Sequence, residues 1–446
     1  MRFGTDGIRG RANVDLTPEV ALSLGRAVAR VTGSRLAIIG GDSRRSTAML
    51  AGAVAAGLAA EGVDVIDVGL VPTPVVAAEA ARLDAIGLVV SASHNPHHDN
   101  GIKVFGAGGV KLDSSTESQI EAQMASDSVT AGEPGIITTD DPEAVINRHL
   151  ARLVNVIDNR SLSGLRLVVD TANGAASRIA GPILAALGAS VVVMNAEPDG
   201  YNINDQCGAT DPRELATRVV AEGADIGVAL DGDADRMIAV DAAGRVIDGD
   251  HLIAICALDM ASRGELESGA VVVTVMANLG FRIAMEAAGV DVIETPVGDR
   301  HVLEALNAGG HAIGGEQSGH VIWPAHATTG DGLLTAIKLL DVMARSGRSL
   351  ADLADGAMTS LPQVLLNVPV TDRSIDAEAL LASEIEAANG QLAGTGRILI
   401  RPSGTEPLIR IMVEAPSDAI ALSVASSLAQ ALEAAAGAPA APDHHR

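Results

Sequence analysis

A serine in a polar turn is the first candidate for chemistry in this chain. Ser93 stands in the segment 91–96, directly after the apolar run 86–90, with His94 beside it and Lys103 ten positions further on. Ligands of open α/β sheets collect where the strands end, so a hydroxyl at this place can act as a nucleophile. Lys103 is one of only three lysines, and an amine can release its proton at accessible pH, which makes it a candidate acid or base.

Three aspartates at alternate positions form the second candidate site. Asp231, Asp233 and Asp235 follow the apolar run 226–230, and carboxylates with this spacing can converge on one hard cation such as Mg²⁺. An EF-hand calcium loop is excluded, because its sixth position would be an arginine and its twelfth an alanine. A solvated acidic turn is the alternative, and repulsion between three like charges disfavours it.

Two further loops combine residue types that recognise phosphates and sugars. The segment 401–407, with Arg410 after it, offers arginine, hydroxyls and a glycine amide, which together suit a phosphate monoester. In the segment 314–320, Glu316 and Ser318 suit sugar hydroxyls, and His320 suits proton transfer. On the residues alone, a hairpin turn and a plain polar loop are the alternatives for these two segments.

The elements that must position these loops follow a pattern that occurs three times. Each copy consists of a β-branched run, a turn rich in Gly, Asp or Asn, an Ala-rich helical stretch and a second β-rich run. The three copies begin near residues 36, 165 and 271. This alternation predicts βαβ units in sheets covered on both faces. After residue 362 the pattern changes to three β-rich runs with two helical stretches, which favours a smaller α+β fold. We therefore predict an α/β chain of three α/β sandwich domains of similar topology (1–155, 156–258, 259–362), a smaller C-terminal α+β domain (363–434) and a disordered tail (435–446).

Composition and charge exclude several classes of protein. Hydrophobic residues make up 48% of the chain but aromatic residues only 1%, so aliphatic side chains must fill the cores. The net charge of -25 argues against nucleic-acid and membrane-surface partners. Two isolated cysteines argue against a disulfide framework or a zinc site, and the lack of an apolar leader or an apolar run of about 18 residues predicts a cytoplasmic protein. The chain has neither a Gly-Lys pair nor a Gly-x-Ser-x-Gly motif, which argues against an NTPase and an α/β-hydrolase.

In their order along the chain, the four loops resemble those of the α-D-phosphohexomutase superfamily, and the likeness spans essentially the whole chain. The opening segment 3–10 shares the likeness. The glutamine at position 317 resembles the residue that members acting on glucosamine phosphates have there. The resemblance implies that Ser93 carries a phosphoryl group and that the three aspartates bind Mg²⁺ with a phosphate oxygen on that serine. The catalytic residues that it implies are Ser93, Arg9, His94, Lys103 and His320. The substrate-binding residues are Arg236, Asp299, Arg300, Glu316, Ser318 and, for the phosphate that does not react, Arg401, Ser403, Gly404, Thr405 and Arg410.

The reaction implied by the resemblance interconverts glucosamine 6-phosphate and glucosamine 1-phosphate, which would supply UDP-N-acetylglucosamine synthesis. Glucosamine 1,6-bisphosphate is the expected intermediate and activator, a hexosamine phosphate is the expected partner, and a homodimer is the expected assembly. Four domains around a central cleft would let the fourth domain swing while the intermediate turns round. The alternatives are a phosphoglucomutase or phosphomannomutase with the same machinery, a sugar-phosphate sensor without turnover, and a phosphatase with an aspartate nucleophile.

Overall fold

Four β-sheets organise the part of the chain that the computed structural model describes, which is residues 2–4, 6–125, 132–370, 375–402 and 407–436. The chain divides into two compact units. The larger unit comprises Met1–Met276 and Ala288–Ala357 and holds three of the sheets. The smaller unit comprises Ala277–Ala287 and Met358–Arg446 and holds the fourth.

The first sheet has six strands and is mostly parallel at its centre. Its strands are β1 (Ile8–Arg11), β2 (Leu36–Gly41), β3 (Asp64–Leu70), β4 (Ile86–Val90), β5 (Asp99–Phe105) and β6 (Ile137–Thr139), and its helices are α1 (Pro18–Thr32), α2 (Thr47–Ala60), α3 (Thr73–Leu83), α4 (Ser114–Met124) and α5 (Pro142–Asn155). The strands lie in the order β1-β5-β4-β2-β3-β6. β2 is parallel to both β3 and β4, whereas β5 is antiparallel to its neighbours. This arrangement places the carboxyl ends of β2 and β4 side by side.

The second sheet follows the order β11-β10-β9-β7-β8. Its strands are β7 (Arg166–Asp170), β8 (Ser190–Met194), β9 (Ile226–Leu230), β10 (Met237–Asp241) and β11 (Val246–Ile247), and the helices along this stretch are α6 (Ala180–Ala186), α7 (Arg213–Glu222) and α8 (Gly249–Ser262). β7 is parallel to β8 and β9, and β10 runs back antiparallel to β9. The turn between β9 and β10 holds the predicted aspartates.

The third sheet has four short strands and the smaller unit has three long ones. The elements from here to the C-terminus are β12 (Ala270–Thr274), α9 (Leu279–Ala287), β13 (Asp291–Thr295), α10 (Asp299–Gly309), β14 (Gly314–Gly315), β15 (Val321–Ile322), α11 (Gly332–Ser346), α12 (Leu350–Ala357), β16 (Gln363–Pro369), α13 (Ala377–Leu380), α14 (Ala382–Leu392), β17 (Arg397–Pro402), β18 (Leu408–Glu414) and α15 (Asp418–Ala436). The third sheet has the order β13-β12-β14-β15, and the fourth has the antiparallel order β16-β18-β17. Helix α9 belongs to the smaller unit with the fourth sheet.

Local sequence signals explain where several helices begin and end. The hydroxyl of Thr17 accepts a hydrogen bond from the amide of Val20 at the start of α1, and Asp331 does the same for α11. Gly33 and Gly347 end these helices with φ values of 63° and 65°, a left-handed conformation that glycine adopts without strain. The cores are aliphatic, as the composition predicts, with Phe105 and Phe281 among the largest fully buried side chains.

The predicted fold class is confirmed. Each of the three sequence repeats forms a parallel strand pair, β2 with β3, β7 with β8, and β12 with β13. The three β-rich runs after residue 362 form the separate antiparallel sheet. Within the described ranges, no helix combines the length and apolar character that crossing a membrane requires.

Candidate active site

Ser93 lies in the turn after β4 in a strained backbone conformation. Its φ is 53°, in the left-handed region that a side chain other than glycine disfavours, and such strain collects at functional sites. The amide of Ser93 donates to the hydroxyl of Ser91 (2.9 Å), which in turn donates to Asp42 Oδ2 (2.5 Å). Asp42 follows β2, so two adjacent parallel strands supply the groups that hold the serine in place.

Two side chains remote in sequence clamp the carbonyls of the serine turn. Arg44 Nη2 donates to the carbonyl oxygens of Ser93 (2.9 Å) and Asn95 (2.7 Å). Asn204 Nδ2 donates to the same two oxygens, at 2.9 and 3.1 Å. Gly232 allows this approach, because a Cβ at that position would lie 2.5 Å from the carbonyl oxygen of Ser93. The turn is therefore fixed by both the first and the second sheet.

The three predicted aspartates meet beside the serine hydroxyl. Ser93 Oγ donates to Asp231 Oδ2 at 2.6 Å, and one oxygen from each of Asp231, Asp233 and Asp235 lies within 4.8 Å of the others. All three aspartates are buried. Burial, with the charges of Asp235 and Asp233, raises the pKa of Asp231 to about 8. Such mutual repulsion is what a bound cation would relieve.

The donor set of this trio fits a hard divalent cation. Among the described residues, Asp233 Oδ1 and Asp235 Oδ1 are buried and have no hydrogen-bond partner. Buried carboxylate oxygens are costly unless they are paired or bind a metal. With Asp231 they offer convergent oxygen ligands of the type that Mg²⁺ takes. The predicted metal-binding residues are thus brought together.

Lys103 neutralises part of this charge. Its ammonium lies 2.7 Å from Asp233 Oδ2, 2.8 Å from Asp235 Oδ2 and 2.8 Å from Asp6 Oδ2. Burial alone would lower the pKa of Lys103, but the attraction of Asp233, Asp235 and Asp6 outweighs it and raises the pKa well above the usual value for lysine. In this arrangement Lys103 holds its proton and orders the carboxylates. A proton held this firmly is not readily exchanged near pH 7, so the expectation that Lys103 acts as an acid or a base stays a prediction.

Arg9 and His94 flank the serine. Arg9 forms an ion pair with Asp6 at 2.8 Å, and its other terminal nitrogen donates to the carbonyl oxygen of Ala92 at 3.5 Å. His94 Nδ1 lies 3.3 Å from Ser93 Oγ. Burial and the nearby charges of Arg236 and Arg9 lower the pKa of His94 to about 4. The ring is therefore neutral near pH 7 and can exchange a hydrogen bond with the serine oxygen.

The predicted sugar loops of the third sheet lie in the same unit. Glu316 Oε1 accepts a hydrogen bond from the amide of Gly298 at 3.1 Å, while Ser318 is exposed. His320 is buried, with Nδ1 3.6 Å from Asp235 Oδ1 and Nε2 3.5 Å from Asp299 Oδ2. Burial opposes protonation of this ring, but the two carboxylates outweigh it and raise the pKa of His320. His320 of the segment 314–320 thus lies between Asp299 and the aspartate trio.

Arg236, Asp299 and Arg300 are held by ion pairs or charges of this unit. Arg236 Nε lies 3.9 Å from Asp235 Oδ1, and Arg300 Nη1 donates to Ser114 Oγ at 3.0 Å. Asp299 forms an ion pair with Lys111, and Arg300 forms one with Glu117. These three residues, which are expected to contact substrate, are therefore held by other charged side chains of the protein.

The predicted phosphate loop lies in the smaller unit and is only partly described. Arg401 of β17 and Arg410 of β18 are directly opposite each other in the sheet. Burial and the charge of Arg410 lower the pKa of Arg401. Ser403, Gly404 and Thr405 lie outside the described residues. The two arginines that are described form a pair of adjacent positive charges.

Several groups of the site were not identified from the sequence. Asp6 gathers three cations, Arg9, Lys103 and Lys111. Thr73 Oγ1 donates to Asp233 Oδ2 at 2.5 Å. Arg44 and Asn204 hold the serine turn. The only available signal was position: Arg44 and Thr73 follow β2 and β3, whose ends share an edge with β4.

Comparison with known proteins gives matches over nearly the whole chain. Four family models match in order: Phosphoglucomutase/phosphomannomutase, alpha/beta/alpha domain I (residues 1–130), domain II (147–244), domain III (248–361) and the C-terminal domain (365–431). The phosphoglucosamine mutase of Frankia alni is 50% identical, with 98% of this chain and 99% of that protein covered. That of Rhodococcus jostii is also 50% identical, with 96% and 98% covered. A phosphoglucomutase/phosphomannomutase family protein from Burkholderia thailandensis has a similar crystal structure, with a TM-score of 0.80, 27% identity and 97% of each chain covered.

Proposed function

The chain belongs to the phosphoglucomutase/phosphomannomutase family, and we propose that within it the chain is a phosphoglucosamine mutase. It is an intramolecular phosphotransferase that interconverts glucosamine 6-phosphate and glucosamine 1-phosphate. The observation that carries this function is the hydrogen bond of 2.6 Å between Ser93 Oγ and Asp231, which places a nucleophilic oxygen beside the aspartate trio. The two relatives at 50% identity described above are both phosphoglucosamine mutases, which supports the choice of substrate.

The first half of the reaction starts from the enzyme phosphorylated on Ser93. The 1-hydroxyl of glucosamine 6-phosphate attacks the phosphorus, the new O1–P bond forms and the P–Oγ bond breaks. The proton that the 1-hydroxyl loses is balanced by the one that Ser93 Oγ takes up, which gives glucosamine 1,6-bisphosphate and free Ser93. Arg9 and Arg236 supply positive charge near the transferring group, and neutral His94 contacts the leaving oxygen. The strained turn at Ser93 is held by Arg44 and Asn204, so the oxygen keeps its position while the bond breaks.

The second half returns the other phosphoryl group. After the bisphosphate has turned round, Ser93 Oγ attacks the 6-phosphate, the Oγ–P bond forms and the O6–P bond breaks. O6 takes up one proton in place of the one that Ser93 loses, and glucosamine 1-phosphate remains. Ser93 Oγ lies 2.6 Å from Asp231 Oδ2, so the attacking oxygen stands directly beside the aspartate trio. Arg401 and Arg410 provide a positively charged pair suited to the phosphate that does not react.

Asp231, Asp233 and Asp235 would hold Mg²⁺, with an oxygen of the phosphoserine completing the set. When bound, the ion neutralises charge on the transferring phosphoryl group and polarises its oxygens. Lys103 bridges Asp233 and Asp235 and keeps the trio together. We place the enzyme in the cytoplasm, because its substrates are phosphorylated sugars of central metabolism.

An isomerase assay tests this function. With Mg²⁺ and a catalytic amount of glucosamine 1,6-bisphosphate, we expect conversion of glucosamine 6-phosphate into glucosamine 1-phosphate. Ser93→Ala removes the oxygen that carries the phosphoryl group, so isomerisation should fall by at least about 1,000-fold. Intact-mass measurement should find one added phosphate on the wild type and none on the variant. Steady release of inorganic phosphate that survives Ser93→Ala would instead support a phosphatase.

Substrate choice is tested by comparing kcat/KM for glucosamine 1-phosphate, glucose 1-phosphate and mannose 1-phosphate. The highest kcat/KM is expected for the aminosugar. If glucose or mannose phosphate gave the higher value, the chain would be a phosphoglucomutase or phosphomannomutase with the same centre. If no sugar phosphate were isomerised although Ser93 accepted phosphate, the mutase assignment itself would be wrong.

A further inference from the structure

Two ion pairs join the loop at 298–300, called the sugar loop from here on, to the segment 111–117, which includes the start of α4. Lys111 pairs with Asp299, and Glu117 of α4 pairs with Arg300. The hydroxyl of Ser114, at the start of α4, also accepts a hydrogen bond from Arg300 at 3.0 Å. We call these four charged side chains the clasp. Neither Lys111 nor Glu117 has a role in the function derived above.

The clasp is largely shielded from solvent. The side chains of Lys111 and Asp299 are 10% and 11% exposed, and those of Arg300 and Glu117 are 15% and 12% exposed. Surface ion pairs contribute little, but breaking a buried pair leaves an uncompensated charge and is strongly destabilising. The clasp is therefore a fixed contact rather than a chance meeting of two surface chains.

Lys111 also touches the catalytic side of the unit. Its ammonium lies 2.6 Å from Asp6 Oδ1, and the other oxygen of Asp6 lies 2.8 Å from Lys103. Lys103 in turn holds Asp233 and Asp235. A continuous row of alternating charges thus runs from the aspartate trio through Lys103, Asp6 and Lys111 to Asp299.

The position of Asp299 matters because it faces His320. Asp299 Oδ2 lies 3.5 Å from His320 Nε2, and His320 Nδ1 lies 3.6 Å from Asp235 Oδ1. Asp299 begins α10, directly after Gly298, whose amide is bound by Glu316. Moving Asp299 would therefore move the loop at 298–300 relative to both His320 and Glu316.

We propose that Lys111 is a positioning residue that sets the distance between the sugar loop at 298–300 and the Ser93 centre by holding Asp299 and Asp6 together. Glu117 supports it by holding Arg300. This inference deepens the proposed function and rests on it for its kinetic consequence. It predicts that loss of Lys111 loosens the sugar loop and weakens sugar-phosphate binding, while transfer of the phosphoryl group to Ser93 is kept.

The first test measures the loop directly and needs no activity. Hydrogen exchange of a peptide covering 296–301 is compared in the wild type, Lys111→Met, Glu117→Gln and the matched control Lys338→Met. Lys338 is the third lysine of the chain; it contacts the carbonyl oxygen of Val156 and the ring of Trp323. Exchange should rise at least about 10-fold in Lys111→Met, rise less in Glu117→Gln and stay at the wild-type rate in Lys338→Met. Unchanged exchange in Lys111→Met would overturn the inference.

The second test is a kinetic double-mutant cycle. Lys111→Met should raise KM for glucosamine 1-phosphate about 10- to 100-fold with a smaller change in kcat. Lys111→Arg should restore most of the loss, and phosphorylation of Ser93 by a hexose 1,6-bisphosphate should proceed in all variants. If Lys111 acts through Asp299, adding Lys111→Met to Asp299→Asn should change kcat/KM by less than about threefold. Additive losses would contradict the inference.

The two tests separate the inference from the proposed function. A wild type that isomerises no hexose phosphate would refute the function, whereas the exchange measurement would still decide whether Lys111 holds the loop. If Lys111→Met fails to fold, Asp299→Asn and Glu117→Gln break the same contacts from the other side and from the second pair. Exchange at 296–301 that rises in neither of them would again overturn the inference.

Discussion

The aspartate trio of the larger unit and the arginine pair of the smaller one both bring like charges together, but the aspartates are buried and the arginines are only partly buried. In the trio, Lys103 lies within 2.8 Å of two of the carboxylates and leaves two of their oxygens without hydrogen bonds. In the pair, Arg401 and Arg410 oppose each other across β17 and β18, and the pKa of Arg401 is lowered by burial and by its neighbour. The first region is suited to a cation and the second to an anion. Like charges placed close together repel, and a ligand of opposite charge would relieve that repulsion in each region.

The largest expected effect comes from removing one charge of the trio. Asp231→Asn should lower kcat on the order of 1,000-fold, because the carboxylate that faces Ser93 Oγ is lost. In EDTA its free energy of unfolding should be no lower than that of the wild type, since the cost of burying this carboxyl group beside two carboxylates is gone. Mg²⁺ should raise the melting temperature of the wild type and not that of the variant.

Asp158→Asn is the matched control for this prediction. Asp158 is 83% exposed and pairs with Arg160, outside the site, so its substitution should leave kcat and the Mg²⁺ shift unchanged. Activity of Asp231→Asn within tenfold of the wild type would show that the trio is not the reacting centre.

A smaller effect is expected from the arginine pair. Arg401→Ala should raise KM for glucosamine 6-phosphate about 10- to 100-fold, with kcat within a few-fold of wild type, because the phosphate it would bind does not react. Removing one of two opposed charges should not lower the free energy of unfolding. Steady-state kinetics and urea unfolding measure both quantities. Arg213→Ala, an exposed arginine paired with Asp211, serves as the control, and an unchanged KM in Arg401→Ala would remove the pair from the substrate site.

The smallest expected effect concerns a buried base for which no ligand is expected. Burial, with the charge of Arg152, lowers the pKa of His149 in α5 to about 4, against its ordinary value of 6.5. The unfolded chain therefore binds this proton at a higher pH than the folded protein does. Its stabilising contribution is complete above pH 6.5 and declines as the pH falls towards 4. Between about pH 8 and about pH 5.5 this one group should cost about 1.4 kcal/mol of unfolding free energy.

His149→Gln checks this by urea unfolding at both pH values. The loss of stability on acidification should be smaller in the variant by about 1 kcal/mol. An equal loss in both proteins would mean that His149 is protonated in the folded state. A smaller loss in the variant would show how burial affects a titratable group that lies outside the aspartate trio.

The sequence was sufficient to predict the fold class and the groups at the strand ends. The runs 86–90 and 226–230 became β4 and β9, and Ser93 and Asp231 follow them as expected. Periodicity carries this information because strand, turn and helix are local patterns. The second repeat was less regular than expected: α6 begins only at Ala180, after a turn in which Gly174 packs against Gly232.

Long-range partners could not be read in the same way. Arg44 reaches the carbonyl oxygen of Ser93 over 49 positions, Asn204 reaches it over 111, and Lys111 reaches Asp299 over 188. The contact of Arg44 depends on which strands are neighbours within the first sheet, and the other two depend on how separate sheets meet. Neither periodicity nor composition encodes that. The resemblance to a family supplied the expected role of Arg9, whereas the residue types had already suggested sugar contact for Glu316 and proton transfer for His320. Asp6 and Lys111 had no local signal beyond their charge.

The burial of Ser93 also bears on the lifetime of the phosphoserine that we propose. The residue is only 1% exposed, enclosed by its own turn, Arg44 and Asn204. If Ser93 carries the phosphoryl group as proposed, these groups would shield the ester oxygen from bulk water. A single priming event should therefore serve many catalytic cycles, and the idle enzyme should keep its phosphoryl group through intervals of substrate scarcity.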